Sequence, residues 1–263
     1  MIALLGVPLD KNSSFLTGAA MAPPKIREAF HSDSSNYFTE SGIDLKDSLE
    51  WRDLGDLPLD RSDTHAAIGE AVADALKGNE KLISLGGDHS ITYPIVRGVW
   101  SRYPKLSILH LDAHTDLYDN YENNPYSHAS PFARILEEKP DTRVIQAGIR
   151  TSTTHTRKQS SRFGVEVIYM NEWRDDLRFK FDGPVYLSLD LDALDPAFVP
   201  GISHYEPGGF TTRQVLSIIQ NLACNVIGAD IVEYNPSRDI NGVTGMVAAK
   251  FMKEIMDQMI RIK

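Results

Sequence analysis

The sequence predicts an α/β protein built on a central, mostly parallel β-sheet with helices on both faces. Three observations predict it. Short, continuous apolar runs rich in Val and Ile recur along the chain, each of strand length. Segments with apolar residues at helical spacing separate them. Polar residues collect just past three of the runs, at the strand ends where parallel sheets gather their ligands.

Taken in order, residues 2–7 form a buried-strand candidate ended by Gly6-Val7-Pro8, and residues 13–22 are a small, polar loop. Pro23-Pro24 opens a short helix through Phe30, since proline is tolerated in a first turn. Residues 31–53 have little periodicity and read as irregular surface. Ser62 or Asp63 can cap a helix over 64–77, which Gly78 stops. A strand over 81–85, the Gly86-Gly87-Asp88-His89 turn and a helix over 91–102 follow, and then a strand from Leu106. Residues 117–128 are a loop long enough to line a site, and 131–138 are helical in pattern. Four further apolar runs occupy 143–149, 165–170, 185–189 and 226–231. Thr211 and Gln214 make a capping box ahead of Val215, Leu216, Ile218, Ile219 and Leu222. The last segment, 244–262, is helical, with methionines of the kind that fill cores. No repeat or linker interrupts the chain, so residues 1–263 are expected to form one domain.

Composition excludes some functions. A net charge of −9 argues against a nucleic-acid partner, and no apolar run reaches membrane-spanning length. Cys224 is the only cysteine, placed here in an apolar helix end, and no basic leader precedes the first strand. A soluble, cytoplasmic protein is expected.

The chemistry concentrates in Asp112, His114 and Asp116, spaced two apart after the run that starts at Leu106. In extended backbone such positions share a face, so two carboxylates and an imidazole enter one small volume. Carboxylates that close repel unless a cation lies between them, which favours a divalent metal site; solvated acids in a polar loop are the plainer alternative. His89 follows a second run, and Asp190 and Asp192 end a third with the same spacing. Six donors on three strand ends suit two ions sharing carboxylates. A phosphate cradle at Gly86-Gly87 lacks the Gly-Lys-Ser/Thr it would need. Asp195, before a proline, reads as a turn residue.

Gly-Gly-Asp-His-Ser (86–90), Asp-Ala-His-Thr-Asp (112–116) and Ser-Leu-Asp-Leu-Asp-Ala-Leu-Asp-Pro (188–196), with Pro200-Gly201, resemble the three signatures of the ureohydrolases, the arginase/agmatinase/formimidoylglutamase family. Gly6-Val7-Pro8 and Asp230-Ile231-Val232-Glu233 extend the likeness over almost the whole chain. It implies a three-layer α-β-α fold, two Mn²⁺ ions per chain, hydrolysis of a guanidino or formimino group, and a homo-oligomer, trimer or hexamer. One ion would be held by His89, Asp112, Asp116 and Asp190. The other would be held by Asp112, His114, Asp190 and Asp192, with Asp112 and Asp190 shared. Two metals lower the pKa of a shared water, which a delocalised guanidinium carbon requires of its nucleophile. Asp116 would steer that water. Tyr126-Ser127-His128-Ala129-Ser130-Pro131-Phe132 resembles an agmatinase stretch in which His128 would shuttle a proton to the departing amine, and Glu233 would pair with the cationic substrate.

Asp116-Leu117-Tyr118-Asp119 looks more like an agmatinase loop than an arginase one, so agmatine is the first-choice substrate, with a place in polyamine biosynthesis. Arginine, other guanidino acids and formimidoylglutamate are alternatives on the same fold. Ala129 and Ser130 depart from the family's glycine and threonine, and Phe15-Leu16-Thr17-Gly18 lacks an arginine many agmatinases carry. These departures touch no ligand. A catalytically silent relative is the competing class, and it would usually have lost a ligand.

Overall fold

The computed structural model describes residues 1–46, 48–60 and 62–262. In chain order its strands are β1 Ile2–Gly6, β2 Trp51–Asp56, β3 Lys81–Leu85, β4 Ser107–Leu111, β5 Val144–Ile149, β6 Glu166–Tyr169, β7 Val185–Asp190 and β8 Val226–Val232. Its α-helices are α1 Ala22–Phe30, α2 Thr64–Gly78, α3 Thr92–Val99, α4 Pro131–Glu138, α5 Thr154–Phe163, α6 Thr212–Gln220 and α7 Val243–Arg261. Among the described residues the strands join one sheet in the order β2-β1-β3-β8-β7-β4-β5-β6. Every neighbouring pair is parallel.

Successive side chains of a strand take opposite faces, and here both faces are covered. Ile2, Leu4, Ile83, Leu85, Leu109 and Leu187 pack toward α1, α6 and α7. Ala3, Leu5, Leu82, Ile108, Tyr186 and Ile227 pack toward α2, α3 and α4. That is why the central strands read as unbroken apolar runs, and it gives the expected three layers. Each fully buried Leu or Ile contributes about 1.5–3 kcal/mol to holding the layers together.

Helix ends follow their local signals. Asp63 caps α2 by accepting the Ala66 N–H, and Thr211 with Gln214 forms the expected capping box on α6. In α7, Met252, Met256 and Met259 are buried core residues. Asp195 is a turn residue, accepting the Ala197 and Gly208 N–H groups.

Three expectations need correction, and one helix, α5, lies in a stretch given no element from sequence. The segment 31–53 runs into β2, an edge strand of mostly exposed residues whose polar composition hides it; Arg27 of α1 covers it by pairing with Asp53 at 2.7 Å. Helix α5 escapes periodicity because its buried residues are Thr156, Gln159 and Ser160, yet its caps are legible: a Thr153–Thr156 capping box and Gly164 at φ +66°. Helix α3 ends at Val99 rather than Arg102. Cys224 lies beyond α6, in the turn before β8, where burial pushes its thiol up to about 11. No helix of the described residues is long and apolar enough to cross a membrane.

Candidate active site

The four central neighbours β3, β8, β7 and β4 end side by side, and each delivers a polar group to one pocket. After β3 the chain must pass under the loop at Leu9: a Cβ on Gly87 would lie 1.7 Å from the Leu9 carbonyl oxygen, so only glycine fits. That turn places His89 in a 3-10 helix, fully buried, with Asp88 capping it through the Ser90 N–H. After β7, Asp190 caps a short 3-10 helix that carries Asp192.

The shared face expected for Asp112, His114 and Asp116 is not made by an extended strand. β4 ends at Leu111, and Asp116 has φ +48°, in the left-handed region. The backbone coils instead, with the His114 N–H bonded to Asp112 Oδ1 and the Ala113 N–H to Asp192 Oδ1. All six sequence-chosen donors nevertheless converge.

His89 Nδ1 stands 3.2 Å from Asp112 Oδ2, 3.0 Å from Asp116 Oδ2 and 3.2 Å from Asp190 Oδ2. No acceptor is in line with it for a hydrogen bond. Donors held at about 2.1 Å around an octahedral ion stand about 3.0 Å from one another. The four atoms therefore have the spacing of a divalent-cation shell. A second set adjoins it: His114 Nδ1 lies 3.0 Å from Asp192 Oδ2 and 3.4 Å from Asp112 Oδ1. Asp112 turns one oxygen to each set. Asp190 turns Oδ2 toward His89, while its Oδ1 accepts the Asp192 N–H at 2.7 Å.

The electrostatics agree. Burial, with Asp192 and Asp112 close by, raises the Asp190 carboxyl well above the usual range. Burial and Asp112 push Asp192 up to about 6. Burial opposes charging His89, but Asp112, Asp116 and Asp190 hold it well above an ordinary histidine. Crowded carboxylates that resist ionising together are the signature of a place built for a cation.

His128 and Glu233, chosen by resemblance, also meet here, and both are buried rather than solvated. His128 Nδ1 lies 2.9 Å from Glu233 Oε1, which also accepts the His89 N–H at 2.8 Å. Burial disfavours the imidazolium, but the Glu233 carboxylate outweighs it and lifts His128 to about 9. Glu233 sits at φ +64°, an unusual backbone state that costs about 1–3 kcal/mol and aims its carboxylate at the pocket.

The pocket, about 210 Å³, is lined by His114, Asp116, His128, Asp190, Asp192 and Glu233, with His89 and Asp112 buried beneath, and by Ser14, Tyr118, Tyr121, Ala129, His204 and the hydroxyl row Thr151, Ser152, Thr153 and Thr156. Several supporting residues were not found by sequence reasoning. His110 donates from Nε2 to Asp112 Oδ2 at 2.7 Å, while Gln146 donates to its Nδ1 at 3.0 Å. With both ring nitrogens engaged, His110 supports Asp112 rather than joining the ligands. A histidine inside an apolar run was the signal. Ser14 Oγ lies 2.8 Å from His128 Nε2 and can accept from the charged ring. Arg150 spends its guanidinium on the carbonyls of Asp192, Ala193, Leu194 and Glu206, pinning the loop after β7.

A parallel sheet whose strand ends gather these His and Asp donors defines an α/β protein with a candidate site for divalent metal. Comparison with known proteins narrows it. A sequence model of the Arginase family matches residues 1–257. Arginase 1, mitochondrial, of Arabidopsis thaliana is 46% identical over 96% of this chain and 79% of its own. The structure of arginase from Medicago truncatula superposes with a TM-score of 0.92 at 43% identity, covering 98% of this chain and 87% of that one. Agmatinase of Bacillus anthracis is 31% identical over 97% of this chain and 90% of its own. The chain belongs to the arginase family, hydrolases that act on guanidino and amidine groups.

Proposed function

We propose that this chain is a binuclear manganese hydrolase that cleaves L-arginine to urea and ornithine, with agmatine second. The loop Asp116-Leu117-Tyr118-Asp119 favours agmatine on sequence alone. What carries arginine ahead is the identity of 43–46% to plant arginases against 31% to agmatinases. The pocket supports the same preference. Its lining includes the hydroxyl row at the amino end of α5, where the helix dipole favours an anion. Arginine carries a carboxylate at the end remote from its guanidino group. Agmatine carries none there.

His89, Asp112, Asp116 and Asp190 would hold one ion, and Asp112, His114, Asp190 and Asp192 the other. Bound there, the pair supplies a water activated near neutral pH. The chain's own residues do the rest. The Glu233 carboxylate would pair with the guanidinium and orient its carbon, and Asp116 would hydrogen-bond the attacking water. As the carbon–nitrogen bond to the side chain breaks, His128 gives its proton to the departing amine. Urea and ornithine result, and the proton lost from water returns to His128.

The test is urea release across arginine, agmatine, other guanidino acids and formimidoylglutamate with the manganese-loaded protein. Arginine is expected to give the highest kcat/KM, by at least about tenfold over agmatine. A higher value for agmatine would reverse the assignment. We also propose a homo-oligomer, trimer or hexamer, supported by family likeness. Light scattering at micromolar concentration should give a multiple of the chain mass of 29.3 kDa, and a monomer mass would refute it.

A further inference from the structure

Behind His89 lies a second buried carboxylate that touches no part of the pocket. Asp230, in β8, is fully buried and accepts three hydroxyl groups. Thr92 Oγ1 donates to Oδ2 at 2.8 Å and Tyr186 OH at 2.7 Å, while Ser188 Oγ donates to Oδ1 at 2.7 Å. Ser188 Oγ in turn lies 2.9 Å from His89 Nε2. The direction of this chain is forced. A carboxylate can only accept, so the single serine hydrogen is committed to Asp230. The serine then has only lone pairs to offer His89, and Nε2 must be the protonated nitrogen. Nδ1, the atom facing Asp112, Asp116 and Asp190, is then the nitrogen whose lone pair an ion can take, its proton leaving as the ion binds.

We infer that Asp230 is a positioning residue which, through Ser188, fixes His89 in the tautomer that presents Nδ1 to the metal position. It rests on the proposed role of His89 as a ligand. A histidine can bind through either nitrogen, and an unconstrained ring divides its population between tautomers and orientations. Here β8, β7 and the turn after β3 are each pinned by the sheet, so the relay is preset before any ion arrives. Partners of this kind typically change metal affinity by 10–100-fold.

Asp230→Asn tests the direction of the relay, because it preserves shape but supplies a donor. The asparagine amide can donate to Ser188, which frees the serine hydrogen to point at His89 Nε2 and favours the opposite tautomer. Manganese titration of the purified, metal-depleted protein should show one of two sites weakened about 10–100-fold. Ser188→Ala, which leaves Asp230 its Thr92 and Tyr186 donors, should weaken the same site. The double variant should be no weaker than the weaker single, because both act through one chain. Tyr186→Phe removes a donor from Asp230 without entering the chain, and should leave the affinity within about threefold. Unchanged affinity in Asp230→Asn or Ser188→Ala, additive losses in the double variant, or an equal loss in Tyr186→Phe would each overturn the inference. If Asp230→Asn fails to fold, as judged by thermal melting, Ser188→Ala and Tyr186→Phe still decide it. His89→Ala keeps the two failures apart: full manganese affinity there would sink the ligand assignment itself.

Discussion

Replacing Asp112 by alanine should strip both metal positions at once and abolish turnover. Asp112 turns Oδ2 toward His89 and Oδ1 toward His114, so the two donor sets share this one side chain. It is also the group that His110 holds in place at 2.7 Å. Removal would take one donor from each set and leave His110 without its acceptor in a fully buried place. Manganese content below one ion per chain is expected, with a rate loss on the order of 10⁴-fold or more, since free water has a pKa of about 15.7 against about 7 when metal-bound. Asp192→Ala supplies the contrast, because Asp192 belongs to one set only and should spare the other ion. Full two-ion occupancy in Asp112→Ala, measured by metal analysis at saturating Mn²⁺, would show that Asp112 does not bridge.

The second large effect is expected at His128, and it should be of a different kind. His128→Asn should keep both ions, because the ring contacts Glu233 and Ser14 rather than the donor sets. The rate should still fall by about 10²–10⁴-fold, the usual worth of general acid–base catalysis. An amine leaves readily only if it is protonated as the carbon–nitrogen bond breaks. Glu233 lifts His128 to about 9, so that proton is in place at neutral pH, and Ser14 Oγ can accept from the ring's other nitrogen. The decisive comparison is kcat with manganese measured on the same samples. Equal rates at equal metal content would remove His128 from the chemistry, and loss of metal with the rate would make its role structural.

The two predictions rest on residues that became legible in different ways. Asp112, His114, Asp116, Asp190 and Asp192 announce themselves, because acids are costly at the ends of buried runs unless something offsets their charge. The sheet announces itself too, since strands covered on both faces have no polar alternation to obscure them. His128 and Glu233 carry no such signal. Each lies in a loop or at a strand end, and only the family resemblance singled them out. β2 and α5 were invisible for the opposite reason: their exposed or polar faces bury almost nothing apolar, so periodicity has nothing to register.

What the chain determined by itself, then, was the parallel α/β architecture and the identity of the six donors, because burial and charge leave local traces in composition and spacing. How those donors meet was decided only by the folded structure. Asp116 reaches the site through a left-handed backbone rather than an extended one, and Asp192 through a 3-10 turn. His110, Gln146, Ser14, Ser188 and Asp230 acquire their roles from partners up to 114 positions distant in the chain. Hydrogen-bond direction is a property of neighbours in space, and neighbours in space exist only once the sheet has set β3, β8, β7 and β4 side by side.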